Sequence, residues 1–330
     1  MGDSHRRRRR PDDARTAGGS RPMIALMLAA APVLQLPIAC TPGMDCAVQS
    51  LPDHDPGPGA RDYACGDHTY DKHDGTDFRI PSMARQRAGV NVLAAAAGTV
   101  LRVRDGMADI SMRDAAFAAG QDCGNGLVID HGGGWESQYC HMAKGSVVAK
   151  PGQQVAAGAV LGKVGLSGNT EFPHVHLTVR ENGKAVDPFA YGAAAGQCRG
   201  GRSLWAATPA YRRGEVLVAG FAAGPVTMAQ AQELGAAQQP APGRTSPLVA
   251  FVQAIGLEGG DVQRLVVTGP DGQTLADNRA QPLDRAKAQT ILFAGKRAPA
   301  AGWPGGRYRA RYSVIRQGKE AIMREFEVRL

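Results

Sequence analysis

The hydrophobic pattern consists mainly of short apolar runs separated by turns, which is typical of β-sheet proteins. In the middle of the chain these runs are Val90–Leu93, Gly98–Val103, Gly126–Asp130 and Gly158–Val164. His174–Arg180 alternates between apolar and polar residues with a period of two, which predicts a strand with one buried face. The Asn-Gly pair that follows, within Glu181–Lys184, predicts a tight turn.

A second set of β-like runs fills the C-terminal part of the chain. These runs are Leu248–Val252, Val262–Thr268, Thr290–Phe293, Tyr308–Val314 and Ile322–Val328. Five short strands at this spacing predict a small β-sandwich-like domain over residues 246–330. This stretch contains no His and no Cys, so we do not expect a metal or thiol site in it.

The remaining segments give a two-domain organisation, as expected for 330 residues. Residues 40–70 are rich in Cys, Pro and Gly and predict an irregular segment. Residues 71–198 form the first β domain, and residues 199–245 have the composition of a linker or bridge. The predicted fold class is therefore mostly β, in agreement with the 43 glycines and 21 prolines of the chain.

The net charge of +8 is unevenly distributed along the chain. It divides into +4 for residues 1–39, −3 for residues 40–199 and +7 for residues 200–330. A nucleic-acid-binding domain clusters basic residues with aromatic ones, and the mildly acidic middle segment does not, so no nucleic-acid partner is expected. The basic C-terminal part is either a solvated face or a contact surface for an anionic polymer, a membrane or a protein partner.

The N-terminus has the features of a secretory signal peptide, predicted to span residues 1–39 with cleavage near Ala39. Arg6–Arg10 and Arg21 precede an apolar run that starts at Met23, and small residues follow it. An uncleaved membrane anchor is the alternative; after cleavage no membrane span is expected. The chain is thus predicted to be exported to the periplasm or the extracellular side of the cell envelope. Cys40 allows a lipoprotein alternative, which Pro37 weakens.

All six cysteines follow this segment, and an even number in an exported chain predicts disulfide bonds. Cys123 and Cys140 flank two β-like runs joined by a Gly-rich turn, His131–Gly134. A hairpin brings its two ends together, so we predict a Cys123–Cys140 disulfide. Cysteine ligands for zinc are disfavoured because the sequence contains no Cys-x-x-Cys pair.

Histidines and an aspartate in three short motifs suggest a metal site: His73-Asp-Gly-Thr-Asp77, His141 and His174-Val-His176. On a strand, residues two apart point to the same face, so His174 and His176 present two imidazoles side by side. Zinc accepts imidazole nitrogen and carboxylate oxygen, and a catalytic zinc takes three protein ligands. Gly75 allows His73 and Asp77 to approach closely. Each motif alone occurs by chance; their combination is much more specific.

The segment from Tyr70 to Tyr191 resembles the lysostaphin/LytM-type zinc endopeptidases of peptidase family M23, which cut peptidoglycan peptides. The resemblance covers roughly 120 residues and follows the order and spacing of the family's motifs. These are His73-x-x-x-Asp77-Phe78, Ala94–Leu101, Gly126–Gly132, Tyr139-x-His141, Gly152–Gly158, Gly165–Gly168, His174-x-His176 and Asp187-Pro188.

This resemblance implies a fold and a mechanism. The fold is an antiparallel β-sheet of the LytM-like, duplicated-hybrid-motif type, with a groove that holds one zinc ion per chain. His73, Asp77 and His176 are then the metal ligands, and His141 and His174 are catalytic histidines beside a zinc-activated water. The implied substrates are peptide bonds in peptidoglycan. The family commonly has Phe-Glu after the second motif histidine, whereas this sequence has Leu177-Thr178, which leaves substrate choice open.

Three other functions remain as alternatives. The chain can be a non-enzymatic LytM-like regulator or wall-binding protein that activates other wall hydrolases, a zinc amidase, or a protein whose main activity lies in the C-terminal domain. Since all five metal and catalytic positions are filled, the endopeptidase is preferred. The Cys-rich segment 40–70 is expected either to cap one edge of the sheet or to lie over the groove.

The other histidines and the tryptophans have structural interpretations. His131 is expected in a turn outside the metal site, and His54 and His68 are expected to be exposed. Trp135 is expected to pack on the hairpin, and Trp205 and Trp303 in a core or at a domain interface.

Overall fold

The computed structural model describes residues 1–2 and 30–330. The charged region and most of the apolar run of the predicted signal peptide fall within residues 3–29 and lie outside the described residues. Within the described part of the chain, no helix is long and apolar enough to cross a membrane.

The first domain is built around one large antiparallel sheet. Its strands are β1 (Ala47–Ser50), β2 (Thr76–Arg79), β3 (Asn91–Leu93), β4 (Gly98–Arg104), β5 (Asn125–Gly132), β6 (Trp135–Met142), β7 (Gln154–Val155), β8 (Val160–Lys163), β9 (His174–Glu181) and β10 (Lys184–Val186), and α1 (Met83–Ala88) follows β2. The sheet has the order β1-β2-β9-β6-β5-β4-β7, with β10 paired to β9, and β3 pairs separately with β8. The predicted antiparallel β architecture is confirmed.

Alternation along β5, β6 and β9 explains why these strands form the centre of the sheet. Leu127, Ile129, Tyr139 and Leu177 all point into one apolar core and are almost fully buried. Residues on the opposite face of β9, among them His176, are free to line a groove. The hydrophobic pattern of the central strands therefore also determines which face carries the candidate chemistry.

The second domain contains β11 (Glu215–Ala222), α2 (Met228–Leu234), β12 (Leu248–Leu257), β13 (Val262–Thr268), β14 (Thr274–Arg279), β15 (Lys287–Lys296), β16 (Arg307–Arg316) and β17 (Lys319–Arg329). These strands make one sheet of order β11-β12-β15 and another of order β14-β13-β16-β17, with a shared apolar core. The sequence predicts a linker or bridge over residues 199–245, but this stretch contains β11 and α2. β11 is an apolar run without clear period-two alternation, and it pairs with β12.

The two domains contact each other beside β2. The Arg79 guanidinium, buried between them, donates to Gln49 Oε1 at 2.6 Å and to Gln289 Oε1 at 3.1 Å. Gln49 in turn donates to the carbonyl oxygen of Ala288 at 3.3 Å. These contacts connect the C-terminal domain to the strand that carries Asp77.

Residues 34–39 form part of the first domain. Leu34 and Ile38 are buried in its core. The Leu34 amide donates to the Leu204 carbonyl at 2.8 Å, and the Ala39 amide donates to the Asn91 carbonyl at 2.9 Å. Signal-peptide cleavage near Ala39 would remove Leu34 and Ile38 from the core of the first domain. This packing therefore disagrees with the predicted cleavage position.

Three disulfide bonds use all six cysteines. Cys123 pairs with Cys140, as the hairpin predicted, and the other pairs are Cys40–Cys46 and Cys65–Cys198. Lipid attachment would need the free thiol of Cys40, but this thiol forms the disulfide with Cys46. The disulfide therefore argues against the lipoprotein alternative.

All three tryptophans are buried, Trp135 and Trp205 in the core of the first domain and Trp303 in that of the second. The expectation that His54 and His68 are exposed was wrong. His54 Nε2 contacts Asp187 Oδ2 at 2.7 Å, and His68 Nε2 contacts the Gly256 carbonyl at 3.2 Å. Both rings make long-range contacts that their irregular local sequence does not indicate.

Candidate active site

Two neighbouring strands position the predicted metal ligands. In the antiparallel β2–β9 pair, Asp77 lies directly opposite His176 and Arg79 lies opposite His174. His73 comes from the turn that leads into β2, so the His-x-x-x-Asp spacing folds His73 back over Asp77. The structure thus brings together His73, Asp77 and His176, which are separated by up to 103 residues in the sequence.

Three ligand atoms converge in this cluster. His73 Nε2 lies 3.3 Å from Asp77 Oδ1 and 3.2 Å from His176 Nδ1, and His176 Nδ1 lies 2.9 Å from Asp77 Oδ1. Two tetrahedral ligands at zinc bond lengths lie about 3.3 Å apart. The donor set of two imidazole nitrogens and one carboxylate oxygen, with these separations, therefore fits a zinc ion.

Gly75 permits the close approach of this turn to β9. A Cβ atom at residue 75 would lie 2.5 Å from His176 Nε2 and 2.6 Å from the Leu177 carbonyl oxygen. Either separation is too short for van der Waals contact. Any larger residue at position 75 would push the turn that carries His73 away from His176.

Hydrogen bonds determine which nitrogen of each ligand imidazole faces the cluster. His73 Nδ1 donates to the Leu51 carbonyl oxygen at 2.8 Å, so Nε2 is the nitrogen that faces Asp77 and His176. His176 Nε2 lies 2.9 Å from Thr178 Oγ1, with its Nδ1 facing Asp77. Outer hydrogen bonds of this kind orient metal-ligating histidines in proteins.

The charges of the cluster are strongly coupled. Burial opposes ionisation of the Asp77 carboxyl, but the imidazoles of His73 and His174 outweigh it and hold the Asp77 pKa well below its usual range. Burial also favours the neutral ring of His176, yet hydrogen bonds to Asp74 and Asp77 raise its pKa to about 9. In the absence of a metal, a proton on His176 therefore balances the charge of Asp77.

The two predicted catalytic histidines stand beside this cluster. His141 Nδ1 donates to the Ser167 carbonyl at 2.8 Å, and His174 Nδ1 donates to the Phe172 carbonyl at 2.9 Å. Their ring centroids are 4.6 Å apart, and His174 Nε2 lies 3.3 Å from Asp77 Oδ1. In both rings Nδ1 is thus bound to the backbone, and Nε2 is the nitrogen not used by this anchor.

The backbone of His141 adopts a left-handed conformation, with φ of 62°. For a residue other than glycine this conformation is uncommon and occurs often at functional sites. The Cys123–Cys140 disulfide and a hydrogen bond from the His141 amide to the Cys123 carbonyl, at 2.8 Å, hold this turn. Burial, reinforced by His174 and His176, lowers the His141 pKa well below its ordinary value.

A groove of about 260 Å³ opens over the cluster. Besides His73, His141 and His176, its walls include Tyr70, Asp122, Gln138, Asn169 and Arg180. Tyr70, the last residue of segment 40–70, lines this groove, and its ring centroid lies 4.4 Å from that of His73.

Several groups around the site were not predicted from the sequence. The Leu51 and Ser167 carbonyls are backbone atoms, which carry no sequence signature. The sequence gives Asp74 no role beyond its place in the His73–Asp77 motif. His131 lies outside the cluster, where its ring contacts the Ala97 carbonyl and Ser137 Oγ, each at 2.8 Å.

Comparison with known proteins supports the sequence resemblance. Residues 71–188 match Peptidase family M23. The DD-carboxypeptidase/endopeptidase Mpg of Neisseria meningitidis serogroup B is 31% identical over 121 residues, which cover 37% of this chain and 23% of Mpg. The Peptidoglycan DD-endopeptidase ShyA of Vibrio cholerae is 30% identical over 115 residues, which cover 35% of this chain and 22% of ShyA.

Among solved structures, the catalytic domain of the prophage-encoded M23 protein EnpA from Enterococcus faecalis is 26% identical, with a TM-score of 0.32. The match covers 49% of this chain and 98% of that chain. The chain spans about a fifth of the length of the curated relatives it matches.

Proposed function

We propose that this chain, whose residues 71–188 form a Peptidase family M23 domain, is an exported zinc-dependent endopeptidase that hydrolyses peptide bonds in peptidoglycan. The observation that carries this proposal is the convergence of His73, Asp77 and His176, with His141 and His174 beside them. An open groove lined by His73, His141 and His176 gives access to this cluster. The names of Mpg and ShyA support the reaction class and the substrate.

The three converging ligands would hold one zinc ion. When bound, zinc lowers the pKa of a water molecule to about 7 and polarises a substrate carbonyl. His73 and His176 would present Nε2 and Nδ1, and Asp77 would present Oδ1. The buried carboxylate supplies the negative charge that offsets part of the charge of the ion.

His141 and His174 would move protons and stabilise charge on the substrate. Each donates Nδ1–H to a backbone carbonyl, so each has Nε2 available in the site. The lowered pKa of His141 keeps its ring neutral at pH 7, and a neutral ring can accept a proton at Nε2 from the attacking water. That proton can then pass to the amine that leaves. His174, beside it, would face the oxyanion.

The groove would take the substrate as an extended peptide. Polar side chains along its walls, including Gln138, Asn169 and Arg180, can bond the substrate backbone and any carboxylate it carries. Because the site opens into this groove instead of a closed pocket, a polymer-linked peptide can enter from the side.

The test is a zinc and cleavage assay on the chain from residue 32 onward, with His176→Ala and the control His131→Ala. We expect about one zinc per chain and release of new amino termini from purified peptidoglycan. Both should be lost in His176→Ala and kept in His131→Ala. Absence of zinc from the unmodified chain would overturn the proposal.

Product analysis separates this activity from the alternatives. An amidase would release the whole stem peptide from the glycan, whereas an endopeptidase leaves part of the peptide attached. Zinc binding without any cleavage would favour the regulator.

A further inference from the structure

Three of the four histidines at the candidate active site are anchored in the same way. Each donates its Nδ1 hydrogen to a backbone carbonyl. In His73 and His174, Nε2 lies 3.3 Å from Asp77 Oδ1. The pairs are His73 with Leu51, His141 with Ser167 and His174 with Phe172. Backbone anchors of this kind are set by the fold and are insensitive to side-chain substitution at the anchoring residue.

His176 is anchored differently. It turns Nδ1 towards the cluster, so its outer nitrogen is Nε2, which lies 2.9 Å from Thr178 Oγ1 and 3.3 Å from Asp74 Oδ1. Within the described residues, this nitrogen has no backbone carbonyl as a hydrogen-bond partner. The side chains of Thr178 and Asp74 therefore contact the outer nitrogen of His176, where the other three rings are bound by backbone carbonyls.

The fold holds both side chains in place. Thr178 follows His176 by two residues on β9, so it lies on the same face, and it is buried. Its Oγ1 lies 3.5 Å from Asp74 Oδ1. The other oxygen of Asp74 accepts from Arg180 Nη2 at 3.3 Å, and Arg180 Nη1 donates to Gln138 Oε1 at 2.7 Å.

We propose that Asp74 and Thr178 are positioning residues that keep the proton of His176 on Nε2 and so present its Nδ1 lone pair to zinc. The inference rests on the proposed zinc site. A ring whose Nε2–H faces a hydroxyl and a carboxylate is fixed in rotation and tautomer, and the nearby negative charge makes Nδ1 a stronger donor. Asp74 and Thr178 thus complete the site in this sequence, which has Leu177-Thr178 after the His174-x-His176 motif.

The experiment compares zinc affinity in Asp74→Asn, Thr178→Val and the double variant. Thr178→Val keeps the shape of the buried side chain and removes the hydroxyl. The matched control is Asp71→Asn, because Asp71 is exposed and pairs with Lys72. Zinc dissociation constants are measured by competition with a chromophoric chelator across a pH series. They are compared where the affinity no longer changes with pH, because Asp74 also raises the pKa of His176 and so favours its proton over the metal at neutral pH. We expect the double variant to bind zinc roughly 10- to 100-fold more weakly, with smaller losses in the single variants. The control should bind as the unmodified chain does.

A second measurement separates positioning from simple loss of structure. Long-range ¹H–¹⁵N spectra of the zinc-loaded protein report which imidazole nitrogen of His176 carries the proton. We expect a single Nε2–H form in the unmodified chain and exchange broadening or a second form in the double variant. Unchanged zinc affinity and an unchanged spectrum in the double variant would overturn the inference while leaving the endopeptidase proposal standing. No zinc binding by the unmodified chain would overturn both.

Discussion

His73 and Leu51 are joined by a hydrogen bond of 2.8 Å from the imidazole Nδ1 to the backbone carbonyl oxygen. A second bond of 2.8 Å, from the Asp53 amide to the His73 carbonyl, lies beside it. Both connect segment 40–70 to the turn that carries a candidate metal ligand. This irregular segment therefore holds His73 in place through two hydrogen bonds. Its strand β1 extends the sheet next to β2.

This support predicts that the Cys65–Cys198 disulfide matters for the metal site. It closes a loop of 133 residues and holds the segment that carries Leu51. Loop-closure entropy gives about 5 kcal/mol for such a bond, as an upper value. We expect the Cys65→Ser/Cys198→Ser variant to unfold at a lower temperature and to bind zinc more weakly, as measured by thermal unfolding and chelator competition.

The Cys40–Cys46 bond provides the control, because its two cysteines are only 6 residues apart. The same relation gives about 2 kcal/mol for so short a loop. The Cys40→Ser/Cys46→Ser variant should therefore lose less stability. Equal losses in the two double variants would contradict the assignment of a supporting role to Cys65–Cys198.

A second prediction separates proton transfer from metal binding. His141 contributes no atom to the ligand cluster, and its anchor is the Ser167 carbonyl. We expect His141→Ala to retain about one zinc per chain and to lose roughly 10²- to 10⁴-fold in kcat, the usual size of general acid–base catalysis. Metal analysis and release of amino termini from peptidoglycan measure the two effects. Loss of zinc in this variant would place His141 among the ligands instead.

Gly75 gives a third prediction, based on space alone. A Cβ at this position would collide with the His176 ring and the Leu177 carbonyl. We expect Gly75→Ala to weaken zinc binding strongly. Gly200→Ala is the control, because a Cβ there meets only Ala193 atoms, the nearest at 3.7 Å. If Gly75→Ala binds zinc as tightly as Gly200→Ala, the turn is less constrained than its contacts indicate.

The raised pKa of His176 predicts that zinc binding depends on pH. With a pKa of about 9, the metal-free chain carries a proton on this ring throughout neutral pH, and the proton must leave before Nδ1 can bind a metal. Apparent zinc affinity should therefore fall about tenfold when the pH drops from 8 to 7. Calorimetry in buffers of different ionisation enthalpy should show release of about one proton. An affinity independent of pH would contradict the predicted protonation.

The sequence predicted the parts of this structure that local pattern determines. β9 and its two histidines follow from alternation, and the Cys123–Cys140 bond follows from a hairpin. β11 was missed because its short apolar run lacks period-two alternation and precedes a stretch rich in Ala, Gln, Gly and Pro. The anchors of the site could not be predicted, since the Leu51 carbonyl is a backbone atom brought to His73 by long-range folding.

The last prediction concerns where the folded chain begins. Leu34 and Ile38 are buried in the first domain, and each such side chain contributes about 1.5 to 3 kcal/mol on burial. A chain that starts at residue 40 should therefore be less stable by several kcal/mol than one that starts at residue 32. Thermal unfolding of the two chains measures this difference.

Point variants test the same contacts without shortening the chain. Leu34→Ala should lower the unfolding temperature, whereas Val33→Ala should not, because Val33 is 68% exposed. We further propose that any signal-peptide cleavage occurs before Leu34, since a signal peptidase acting at Ala39 would remove Leu34 and Ile38 from the core. Mass spectrometry of the exported protein determines its first residue. An amino terminus at Cys40 on a stable, zinc-binding protein would contradict this prediction and show that the domain folds without Leu34 and Ile38.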